Sequence, residues 1–162
     1  MNISQNGRLR SICTYLTISA LGHLIWEVLQ LPLYTIWTTD TLQHQAFTVV
    51  YCTAGDILIA ASSLLVALTL VRAREWPRAK YLAVAILTIL LGVLYTGFSE
   101  WLNVSVRGSW AYSEWMPQLR LGSINIGLSP LLQWIVVPTF SFLCTRRTAA
   151  AQLLRCTQRD LS

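Results

Sequence analysis

His23, Glu27 and Gln30 sit inside the apolar stretch Gly22-His23-Leu24-Ile25-Trp26-Glu27-Val28-Leu29-Gln30-Leu31-Pro32. On a helix, spacings of four and three residues place all three on one face, stacked along about two turns. An imidazole beside a carboxylate is a proton-handling pair, able to act as acid or base near neutral pH. Burying a charge in a lipid-like interior costs several kcal/mol unless it finds partners, so such residues turn toward a bundle interior or a wet cavity. The partners must come from other segments.

Four apolar segments supply them. They run from about Ser11 to Tyr34, Ala46 to Val71, Tyr81 to Trp101 and Ser123 to Thr145. Each holds enough residues to cross a hydrocarbon core of about 30 Å as a helix. The chain has 162 residues, 54% hydrophobic and only 12% charged, about half the charge of a soluble domain. The sequence therefore predicts an all-α integral membrane protein, a four-helix transmembrane bundle forming a single domain over residues 1–162. The first segment is too long for a signal-peptide core and lacks a small-residue cleavage site after it, so it reads as a retained helix.

Charge sets the orientation. The formal net charge is +5, and ten of the twelve Lys and Arg residues lie in the N-terminal residues, the 72–80 loop and the tail beyond Thr145. Arg107 and Arg120 alone lie on the other side. The positive-inside rule then places both termini in the cytoplasm, with loops 35–45 and 102–122 outside, and a bacterial inner (plasma) membrane is the expected location. The basic residues read as topology signals, which excludes nucleic acid as a partner. Membrane lipids, a hydrophobic small molecule, a second copy of the chain or a larger membrane complex are the expected partners.

Helical rise places the polar residues in depth. Counting about 1.5 Å per residue from the outer ends puts Glu27 about 10 Å down, His23 about 16 Å, Asp56 about 15 Å and Gln133 about 14 Å. Glu100 falls at the outer rim and reads as an ordinary interfacial residue. A polar pocket opening outward follows. Asp56 serves either as the structural partner of His23 or as the second carboxylate of an acid–base pair. Ser129 and Gln133 share a face, as do Cys52, Asp56 and Ser63. Thr88, Gly92, Thr96 and Glu100 follow at fourfold spacing, and small residues on such faces let helices approach closely. Among the seven tryptophans, Trp26 and Trp134 are deep enough to line the pocket.

The 102–122 connection reads as an interfacial loop folded over the bundle mouth. With Trp101 it carries Trp110, Tyr112 and Trp115, amphipathic rings suited to the headgroup level. Val104 and Val106 alternate with polar neighbours, which predicts a short extended piece, and Arg107 is placed to pair with Glu100. Asn103-Val104-Ser105 also matches a glycosylation sequon, a short and common pattern. The tail beyond residue 147 predicts a short surface helix.

Other chemistries find less support. A metal site can be drawn from His23, Glu27, Asp56 and Glu100, but the spacing is not diagnostic, and His44, the only other histidine, lies in a loop. No phosphate-binding loop or nucleophile elbow occurs. Cys13, Cys52, Cys144 and Cys156 form no Cys-x-x-Cys pair and read as small apolar filler. No cofactor is expected. The residue types around His23 and Glu27 resemble the pocket of sterol-isomerase-like small membrane bundles; the likeness covers no aligned motif and carries no residue over.

Three functions fit these residues. The first is binding or conversion of a lipid-like or isoprenoid molecule by acid–base chemistry. His23, Glu27 and Asp56 then move the proton, while Trp26, Gln30, Glu100, Gln133, Trp134, Trp110 and Tyr112 line or close the pocket. The second is an accessory or assembly subunit of a larger membrane complex. The third is a proton- or cation-coupled carrier acting as an oligomer. Residue types leave open whether the protein is an enzyme.

Overall fold

The computed structural model describes residues 3–122 and 124–159. Helix α1 spans Ile3–Gln30 and closes in a 3-10 turn at Leu31–Leu33, where Pro32 lacks the N–H that would extend it. A four-residue helix α2, Ile36–Thr39, leads into α3, Leu42–Leu70. Thr41 caps α3, its side chain accepting from the His44 N–H at 3.3 Å. Helix α4 covers Tyr81–Glu100 and runs on into a π turn, Trp101–Val106. Strands β1, Gln118–Leu121, and β2, Ile124–Gly127, form an antiparallel hairpin before α5, Leu128–Arg159.

The four long helices form a square. Helix α1 touches α3 and α5, and α4 touches the same two. All four carry a stretch long and apolar enough to cross a membrane, from 24 residues in α5 to 29 in α3. The 71–80 turn lies at one end with the start of α1 and the last turns of α5. The 31–41 and 101–127 connections meet at the other. Leu24, Leu58, Leu65, Leu90 and Phe140 are exposed on the outside. His23, Thr88, Ser141 and Thr145 are fully buried within. Polar groups inside and apolar groups outside reverse the arrangement of a water-soluble bundle.

Close approach of the helices depends on glycine at two places. A side-chain carbon on Gly22 of α1 would meet Val137 Cγ1 at 2.7 Å, and one on Gly92 of α4 would overlap the Trp134 ring. The face Thr88, Gly92, Thr96, Glu100 is buried along its length, as its spacing predicts. At the end holding the 71–80 turn, Tyr15, Trp76, Tyr81 and Phe142 pack ring against ring. Tyr15 and Phe142 have centroids 4.5 Å apart, and Trp76 lies parallel to Tyr81 at 6.2 Å.

Several boundaries differ from the sequence reading. Helix α1 starts eight residues earlier, since the polar N-terminal residues contain no proline and the helix runs through Gly7; α3 starts at Leu42, where Thr41 provides the cap. Residues 124–127, assigned to the fourth apolar segment, are a strand, so the fold is not purely helical. Gly122, at φ 62°, turns the hairpin. The expected extended piece at Val104–Val106 is the π turn instead. The Asn103 side chain donates to the Ser99 carbonyl at 2.9 Å, and the coil persists until Gly108. The tail is no separate surface helix: α5 continues to Arg159.

Candidate functional site

Helix α1 presents Ser11, Tyr15, Ser19 and His23 to the interior at fourfold spacing, all buried, with Gln30 below them. Ser19 meets Ser141 of α5 through hydroxyls 3.0 Å apart. One helical turn further along α1, the polar network begins. Its centre is Gln133 of α5, only 2% exposed. The Gln133 amide nitrogen lies 3.0 Å from His23 Nδ1, 3.1 Å from Glu27 Oε1 and 2.9 Å from Asp56 Oδ2.

The network continues through a second amide. Gln30 Nε2 donates to Glu27 Oε1 at 2.7 Å and to Gln133 Oε1 at 3.4 Å. Ser129 donates to Gln30 Oε1 at 2.9 Å and accepts from the Trp26 indole at 3.2 Å. Helices α1, α3 and α5 thus meet in one hydrogen-bonded set. Trp134 covers it, its ring 4.8 Å from that of His23.

Counting hydrogens constrains this arrangement. An amide NH2 has two hydrogens, and three acceptors surround that of Gln133. Two of them are carboxylate oxygens held within about 6 Å of each other by their shared donor. The set closes when one of the three partners carries a proton of its own. On the far edge of the imidazole, His23 Nε2 is buried and has no hydrogen-bond partner. When Nδ1 accepts from Gln133, the ring hydrogen sits on Nε2 and points at nothing polar.

A second group closes the end of the bundle. Tyr112 donates to Glu100 Oε2 at 2.5 Å and accepts from the Gly127 N–H at 2.8 Å. It thereby ties the loop to α4 and to the strand before α5. Burial, with the Glu100 carboxyl beside it, pushes the Tyr112 hydroxyl well above its ordinary titration range. The same loop bonds to the connection after α1: Thr35 N–H to the Ala111 carbonyl at 3.0 Å, Ser113 N–H to the Leu33 carbonyl at 2.9 Å. Tyr34 packs on Tyr112, centroids 5.7 Å apart. The Trp110 indole nitrogen is buried nearby without a partner.

The structure brings His23, Glu27, Asp56, Gln30, Gln133, Trp26 and Trp134 together. Glu100, Tyr112 and Trp110 form a second group at the capped end, with Glu100 within electrostatic reach of Glu27. Three expectations change. The carboxylate facing the histidine is not Glu27, which bonds to Gln30, but Asp56, 3.5 Å from Nδ1, in the first of the two roles its position allowed. Glu100 is 5% exposed rather than interfacial. Tyr112 holds it, and Arg107 is exposed. The polar groups bond to one another, and among His23, Glu27, Gln30, Asp56, Ser129 and Gln133 only Glu27 and Asp56 keep partial exposure. An open groove of about 680 Å3 lies elsewhere, between α3 and α4, and is lined by apolar residues such as Leu58, Val66, Leu94 and Phe98.

Tyr34 went unmarked in the sequence, although its place beside Pro32 at the segment end is a signal for a ring capping the bundle. Ser129 was marked only as sharing a face with Gln133, and its hydroxyl proves to join Trp26 to Gln30. Among the described residues, no group of three or more His, Cys, Asp or Glu side chains is arranged to hold a metal ion. The chain matches no known protein family, no curated protein and no solved structure.

Proposed function

We propose that this protein is an integral membrane bundle with both termini in the cytoplasm, sited in a bacterial inner membrane. We further propose that it binds a lipid-like or isoprenoid molecule and moves a proton on it. The inside-out distribution of polar and apolar side chains and the clustering of Lys and Arg support the first part. The observation that carries the second is the Gln133 amide bridging His23, Glu27 and Asp56 beside a buried, unpartnered His23 Nε2.

The roles follow from that geometry. An apolar molecule reaches the cluster between helices, where Glu27 and Asp56 keep partial exposure. Its polar head takes the free valence of His23 Nε2. Glu27 and Asp56 hold the exchangeable proton between them, and Gln133 keeps the three groups in register. Trp26 and Trp134 shape the apolar wall. Glu100, Tyr112 and Trp110 close the outer end and exclude water.

Native mass spectrometry of the gently released, detergent-purified protein tests this reading. A lipid-like mass should accompany the wild type and be lost from Glu27→Gln, which keeps shape and removes the charge. A bare wild-type mass together with a stable complex with another membrane protein would sink it. That outcome would favour an accessory subunit, a reading supported by the exposure of Trp37 and Trp115 at the capped end.

A further inference from the structure

At the opposite end of the bundle, the turn before α4 and the facing turn of α5 enclose a groove of about 430 Å3. Arg78, Lys80 and Arg146 line it with Pro77, Tyr81 and Leu82, and no acidic side chain does. Among the described residues none of the three cations pairs with a carboxylate. Lys80 instead closes the floor: its ammonium donates to the Val71 carbonyl at 2.8 Å, and its backbone is left-handed at φ 57°. Arg146 lies over the Tyr81 ring, 6.0 Å from its centroid, and the Tyr81 hydroxyl donates to the Phe142 carbonyl. Trp76, 1% exposed, backs Tyr81 as a rigid wall.

Helix α4 begins within this groove. Lys80 is its N-cap, no side chain caps it, and its first turn contains no acid. The first intrahelical bond comes from the Val84 N–H, so the N–H groups of Tyr81, Leu82 and Ala83 have no helical partner. Free N–H groups at a helix start, together with arginines carried in from the turn and from α5, form an anion site. Below it, Leu82, Ile86 and Leu90 are exposed at fourfold spacing, an apolar lane running down α4 from the groove.

We propose that this groove binds a phosphate ester anion, held by Arg78, Arg146 and the first turn of α4. The apolar lane points to an anionic phospholipid as its source, with the head group in the groove and an acyl chain along Leu82, Ile86 and Leu90. That source rests on the membrane reading above, which places this end at the cytoplasmic leaflet, where basic pockets meet anionic head groups.

The test uses the full chain in uncharged detergent, titrated separately with dioleoyl phosphatidylglycerol, dioleoyl phosphatidylcholine and inorganic phosphate. Thermal unfolding and native mass spectrometry are the readouts. Phosphatidylglycerol should bind in preference to phosphatidylcholine, and Arg78→Gln or Arg146→Gln should each weaken it about fivefold. Arg146→Lys should keep most of the binding. Arg74→Gln, in the same turn but outside the groove, should leave it unchanged. Stabilisation by inorganic phosphate equal to that by phosphatidylglycerol, lost in the same variants, keeps the site and assigns it to free phosphate. The proposal fails if phosphatidylglycerol binds no better than phosphatidylcholine and phosphate has no effect. It fails equally if Arg74→Gln weakens binding as much as the groove variants, since net charge then suffices. Alkaline extraction of cell membranes tests the membrane reading separately: release of the chain would overturn that reading while the detergent titration still reports on the phosphate site.

Discussion

Gln133 brings two amide hydrogens to three acceptors, so its removal leaves His23, Glu27 and Asp56 without their common donor. Leaving a buried polar group unsatisfied costs about 1–3 kcal/mol. Gln133→Leu should therefore destabilise the protein by on the order of 3 kcal/mol, read from equilibrium unfolding in mixed micelles. Glu27→Gln keeps an acceptor oxygen for Gln30 and should cost less than about 1 kcal/mol; equal costs for the two would show that the amide bridge adds nothing. Tyr112 answers to pH. Its hydroxyl holds its proton in the folded state beyond the range where an exposed tyrosine loses it, near 10. A folded-state value raised in this way gives stability that is complete below the ordinary value and is lost as pH rises above it. Unfolding titrations between pH 8 and 11.5 should fall more steeply above about pH 10 in the wild type than in Tyr112→Phe. The residues that matter here were legible in the sequence because each is polar within an apolar run. Their pairing was legible only in part. Spacing along α1 joins His23 to Glu27 and depth offers Asp56 as an alternative, and the packing of α3 against α1 decides for Asp56 as the carboxylate facing the imidazole.

Helix α4 shows what an element contributes. Its stripe of Thr88, Gly92, Thr96 and Glu100 was readable from the fourfold spacing, and it is the buried stripe. Glycine at 92 admits the Trp134 ring, which in turn covers His23. Gly92→Ala should push that ring aside, costing about 1–3 kcal/mol, and should shift the emission of Trp134 in a variant lacking the other tryptophans. An unchanged stability and spectrum would mean that the helices separate freely at this level. The hairpin of β1 and β2 escaped the sequence reading for a physical reason. Apolar content alone extended the fourth segment back to residue 123, although Leu119, Leu121, Ile124 and Ile126 alternate around Gly122, the pattern of two short strands about a turn. The π turn after α4 was missed because β-branched Val104 and Val106 suggest a strand, while the coil of α4 simply runs on to them.

At the scale of the molecule, two distributions agree. Polar side chains gather within the bundle, and Lys and Arg gather at the end opposite the Tyr112 cap. A bundle in water would bury Leu24, Leu58 and Leu90 rather than Thr88, Ser141 and Thr145. The charge asymmetry then predicts a single orientation. Single cysteines placed at Ser109 and at Glu75, in a background with the native cysteines replaced, report it directly, because both positions are exposed and lie at opposite ends. An impermeant maleimide should label Ser109→Cys in intact cells and Glu75→Cys only after permeabilisation. Reversed labelling would put the Glu100–Tyr112 cap in the cytoplasm, and the groove of Arg78 and Arg146 would then face away from the cytoplasmic leaflet. Labelling of both sites in intact cells would mean that ten basic residues against two do not fix the chain's direction. The expected pattern would instead put the Glu100–Tyr112 cap on the outer side and the groove of Arg78 and Arg146 beside the cytoplasmic leaflet, as its proposed phospholipid requires.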